Sequence, residues 1–137
     1  MATVADYKGN EYVLSNKTEH IEVVYDFAVD GGATGALDLI KFKEAVVIEQ
    51  FYVKVNAACT SGGSATVIVG TVGGDTDALL DATDGAVANL TLGAALEGDL
   101  ATSVAHKVAA DGVIAMTIGT AALTAGKMTF VFKVAQF

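Results

Sequence analysis

Eleven residues, His20 to Asp30, alternate with the period of a strand that buries one face. Ile21, Val23, Tyr25, Phe27 and Val29 fall on one side; His20, Glu22, Asp26 and Asp30 fall on the other, with Val24 and Ala28 among them. Successive side chains of a strand point to opposite faces, so this period commits the region to a half-buried sheet. Asp30-Gly31-Gly32-Ala33 follows as a turn.

The same grammar recurs along the chain. Ala36 to Phe42 is a strand with Leu37 and Leu39 inward and Asp38 outward, ended by a turn at Lys43-Glu44-Ala45. Val46 to Asn56 places Val47, Phe51, Val53 and Val55 on one face, although Glu49 sits in that row. A loop from Ala57 leads through Gly62-Gly63 into Thr66-Val67-Ile68-Val69, a β-branched run with no charge that suits a central, buried strand. Gly73-Gly74 closes it, and Asp75 or Thr76 can cap one short helix over 77–82. Val87 to Leu92 and Ser103 to Ala109 read as short strands around a loop from Gly93 to Asp99. Asp111-Gly112 turns into Val113 to Ile118; Lys127 to Phe137 is the last strand, with Met128, Phe130, Phe132 and Val134 on one face.

Evenly spaced short strands with Gly and Asp turns predict an all-β fold. We expect a single-domain β-sandwich, or jelly roll, of about seven or eight strands with one short helix. Residues 1–19 stand apart from the alternating region and form an N-terminal arm; residues 20–137 form the sandwich domain. Within the arm, Gly9-Asn10 can turn two short strands, Thr3 to Lys8 and Glu11 to Leu14. Isolated edge-like segments gain order by pairing, so the arm's candidate partner contacts are Tyr7, Lys8, Tyr12 and Lys17. Proline, which commonly guards sheet edges, is absent, so acidic side chains or a partner must protect them.

Charge narrows the partners. The net charge is −8, and all 8 basic residues are Lys. An acidic chain without Arg is repelled by a nucleic-acid backbone and offers no polybasic patch to an anionic membrane. The first residues carry neither a basic region nor an apolar core of a signal peptide, so synthesis in the cytoplasm is expected. With 1 Cys there is no intrachain disulfide framework.

Catalytic patterns do not assemble. His20, His106 and Cys59 are too scattered for a zinc set. Asp75, Asp77 and Asp81 lack the spacing of a calcium loop, since Leu79 occupies a ligand position. Gly62-Gly63-Ser64-Ala65-Thr66 departs from the nucleophile elbow by ending in Thr and leading into no helix. No phosphate-binding glycine motif occurs. The expectation is a non-enzyme that uses no metal or cofactor.

Three stretches carry a resemblance. Val24-Tyr25-Asp26-Phe27-Ala28-Val29-Asp30-Gly31-Gly32-Ala33 is one. Thr60-Ser61-Gly62-Gly63-Ser64-Ala65-Thr66-Val67, taken with Leu79-Leu80-Asp81-Ala82-Thr83, is the second. Ile118-Gly119-Thr120-Ala121-Ala122-Leu123-Thr124-Ala125-Gly126-Lys127 is the third. Together they resemble tailed-bacteriophage capsid decoration (cement) proteins, across roughly residues 20–85 and 110–135. The likeness is one of turns and strands rather than a catalytic signature. Cys59, in a loop where the pattern has Pro, and Lys43-Glu44-Ala45, in place of a Pro-Gly-like turn, depart from it.

The resemblance implies a jelly-roll or β-tulip module that forms a homotrimer on the exterior of an expanded icosahedral head. There it would clamp neighbouring major capsid subunits at quasi-threefold positions. A carbohydrate-binding sandwich is the rival from another class. It needs an exposed aromatic platform; Trp is absent and Tyr52 is the mid-strand candidate. A minor head or tail protein of similar fold is a further alternative.

Overall fold

The computed structural model describes residues 2–3, 11–12, 18–97 and 106–137. Eight strands build a sandwich of two sheets: β3 (Thr18–Asp26), β4 (Gly35–Phe42), β5 (Val46–Ser61), β6 (Thr66–Thr71), β7 (Ala95–Glu97), β8 (His106–Val108), β9 (Val113–Gly119) and β10 (Leu123–Gln136). Two further strands, β1 (Ala2–Thr3) and β2 (Glu11–Tyr12), precede them. The first sheet runs β4-β9-β6, with β1 and β2 both paired to β4. The second runs β3-β10-β5, with β7 and β8 both paired to β5. All pairs are antiparallel except those of β1 and β2, which run parallel to β4.

Alternation places the core as expected along most strands. Ile21, Val23 and Tyr25 of β3 face Met128, Phe130, Phe132 and Val134 of β10 and Phe51, Val53 and Val55 of β5 within one buried cluster. The few aromatic residues are concentrated there: Phe51 lies 5.1 Å from Phe132 and 6.3 Å from Phe130 between ring centroids. Such offset and tilted rings add to the area they bury.

Bulges explain where the alternation misleads. On β10, Lys133 and Val134 are adjacent, but their β5 partners are Gln50 and Ile48. Glu49 is therefore an inserted residue, and it is exposed. An inserted residue flips the faces of everything beyond it. Val46 and Ile48 consequently take the buried positions, and Val47, expected inside, is only half-buried. A second bulge at Leu39 shifts β4, so that Ile40 and Phe42 join Leu39 in the core.

Other expectations need correction. The first strand stops at Asp26, and Phe27–Asp30 is a short helical turn, α1. Asp26 caps it: its Oδ1 accepts from the Ala28 N–H at 3.0 Å, and Asp30 Oδ2 accepts from the Asp26 N–H at 3.0 Å. Val29, expected inside, is 65% exposed as a result. The helix expected over 77–82 is absent; that stretch folds as turns, and Leu80 instead forms a bridge to Val69. Val87–Asn89 is a 3-10 turn rather than a strand. A short strand, β7, occupies the expected loop at Ala95–Glu97. The segment Gly62–Ala65 joins the two sheets, since β5 and β6 belong to different ones.

β6 was expected at the centre of its sheet and lies at its end. It is buried because the chain folds back along it. Val67 N–H donates to Gly85 O, Val69 N–H to Leu80 O and Thr71 N–H to Asp75 O, while Leu79 N–H donates to Val69 O. Leu79, Leu80 and Leu90 from this covering loop are fully buried. Two glycines permit the close approach. A Cβ on Gly85 would meet Val67 O at 1.7 Å, and one on Gly70 would meet Asp75 O at 2.3 Å.

Candidate functional site

What the strands leave available to a partner follows from which edges are covered. The far edge of β6 is sealed by the loop just described. The far edge of β5 carries β7 opposite Tyr52–Lys54 and β8 opposite Val46–Ile48. Among the described residues, the outer edge of β4 carries the two short strands β1 and β2. Ala2 and Thr3 lie opposite Leu37 and Asp38; Glu11 and Tyr12 lie opposite Lys41 and Phe42. The two strands follow one another along the same edge, both parallel to β4; the hairpin expected around Gly9-Asn10 lies outside the described residues.

Of the expected partner contacts, the structure places Tyr12 in β2, beside Phe42. Tyr7, Lys8 and Lys17 lie outside the described residues. Asp38, the residue opposite Thr3, was read from the sequence only as outward-facing. Its Oδ1 is buried and has no hydrogen-bond partner among the described residues. Burial raises its pKa, and the positive charge of the α-amino group partly opposes that. Alternation hides this feature, because an outward position on a covered edge looks like any other.

The outer face of the second sheet is already occupied by its own side chains. Lys54 Nζ lies 2.9 Å from Glu22 Oε1. Lys54 stands level with Thr129 and Glu22 level with Val131, so the pair crosses β10 diagonally and Val131 is buried on the outward face. That hydrogen bond lowers the pKa of Glu22 and raises that of Lys54. Thr129 Oγ1 donates to Asn56 Oδ1 at 2.7 Å on the same face. Tyr52, the candidate sugar platform, is half-buried between Val131 and Glu97.

Several titratable groups elsewhere are held in structural contacts. His106 Nε2 and Thr71 Oγ1 are 2.7 Å apart, tying β8 of one sheet to β6 of the other. Cys59 is buried against Gly126, and burial pushes its thiol up to about 11. A thiol so placed is a poor nucleophile. Asp77 has a raised pKa, first through a hydrogen bond with the Asp75 carboxylate. Asp75 Oδ1 also accepts from the Asp77 N–H, and Asp81 Oδ1 accepts from the Asp84 N–H. Among the described residues no three potential ligands cluster to hold a metal ion.

Among the described residues, the surface carries two depressions without a reactive pair. One of about 90 Å³ is lined by Ala36, Gly70, Val72, Thr76, Ala115 and Thr117. A more open one of about 590 Å³ lies among Asp84, Asn89, Thr91, Leu96 and Glu97. Neither contains a nucleophile paired with a base.

The same fold occurs in phage capsid structures. A chain in "Cyanophage Pam1 capsid asymmetric unit" matches with a TM-score of 0.62 and 13% identity, over 88% of this chain and 85% of that one. A chain in "Acidic stable capsid structure of Helicobacter pylori bacteriophage KHP30" matches with a TM-score of 0.58 and 12% identity, over 89% and 90%. In "Capsid of Ralstonia phage GP4" the TM-score is 0.58 and the identity 16%, over 100% of this chain and 91% of that one. At such identities the likeness is one of fold. No family model matches the chain, and no curated protein matches its sequence.

Proposed function

We propose that this chain is a non-enzymatic structural protein of a phage virion, one that decorates the capsid exterior as a homotrimer and clamps neighbouring major capsid subunits. The observation that carries the reading is the fold shared, over nearly the whole chain, with chains in three phage capsid structures. The sequence stretches that resemble decoration proteins lie in that same shared body. Arm 1–19 would reach the capsid or an adjacent subunit, with Tyr7, Lys8, Tyr12 and Lys17 as its contacts.

The physics of such a role matches the molecule. A clamp needs a rigid body and many copies, not a reacting group. Attachment at several points turns modest single contacts into strong retention. The sandwich supplies the rigid body, and the arm adds backbone pairing at one edge.

Co-sedimentation with empty heads that lack the protein tests the reading, together with native mass by light scattering. Saturable binding to heads and a native mass three times that of the chain are expected. A protein that neither binds heads nor self-associates would overturn the proposal. Deleting residues 1–17, which leaves β3 whole, should weaken head binding or dissociate the trimer; if both survive unchanged, the arm has no such role.

A further inference from the structure

We draw no further inference here: the strongest candidate, the surface patch at the loop end of the sandwich where segments 27–34, 61–65 and 119–123 come together with Val29 exposed, is an unpartnered patch of small residues, and nothing in the structure shows what covers it.

Discussion

Tyr25 Oη donates to the Gly31 carbonyl at 2.6 Å, across the helical turn that ends the first long strand. Tyr25 is the last inward side chain of β3, and its ring is fully buried. Burial, followed by the nearby Cys59, Asp30 and Asp26, drives its phenol pKa far upward, so it remains a donor. Gly31 has a φ of 77°, which lets the chain leave the turn toward β4. Tyr25→Phe keeps the ring and removes the bond. It should lower unfolding free energy by about 1 kcal/mol in chemical denaturation, as for an ordinary intramolecular hydrogen bond. An unchanged midpoint would mean that water replaces the hydroxyl at no loss.

Thr120 carries backbone strain. Its φ is 69°, and the Ala121 N–H donates to Gly119 O at 2.8 Å around it. That combination is a γ-turn of the rare positive-φ kind, unfavourable for a β-branched residue. Thr120→Gly should stabilise the fold by about 1 kcal/mol, strain relief outweighing the added freedom of the unfolded chain. Thermal melting checks this; a lower melting temperature would show that the Thr side chain makes a compensating contact.

Gly85→Ala attacks the cover of β6. The new methyl would lie 1.7 Å from Val67 O, so the bond from the Val67 N–H to Gly85 O and the seating of Leu79 and Leu80 must shift together. A loss of roughly 3 kcal/mol is expected, comparable to overpacking combined with a broken buried bond. Hydrogen exchange would show the loss first at Val67 and Val69. Uniform loss of protection across both sheets would instead make the loop part of a single cooperative unit.

The sequence reports faces better than registers. Ile21, Val23 and Tyr25 are legible because each step of a strand reverses the side chain, and burial then selects the apolar row. Glu49 breaks its row, but the row alone does not say whether a charge is tolerated or a residue inserted. Only pairing of Gln50 and Ile48 with adjacent residues of β10 decides that. Phe27 and Val29 continue the alternation perfectly well, yet the side chain of Asp26 offers the Ala28 N–H a local acceptor and the strand ends. The charge-free run of β6 correctly signals burial; it could not say that a distant loop, rather than a neighbouring strand, provides it. At the candidate site the sequence singled out residues 1–19 by their lack of period, although Thr18 and Glu19 belong to β3. That Ala2–Thr3 and Glu11–Tyr12 pair with β4 was not legible, because edge pairing uses backbone groups that every residue shares.

Asp38 gives that acceptor strand a pH signature. Its Oδ1 is buried without a partner among the described residues, and burial raises the carboxyl pKa, with the α-amino charge opposing. The folded state therefore holds this proton to a higher pH than the unfolded chain does. A carboxyl of raised folded-state pKa contributes favourably below the unfolded value, and the contribution is lost as pH rises through the folded one. At neutral pH the charged group is thus a local liability, relieved on acidification through the carboxylate range. Asp38→Asn removes the titration while nearly preserving shape. The variant should be the more stable of the two at pH 7, with the difference shrinking as pH falls through that window. Paired denaturation curves at fixed ionic strength measure it. A variant destabilised at pH 7, with the loss fading on acidification, would show instead that the carboxylate has a charged partner in the folded protein.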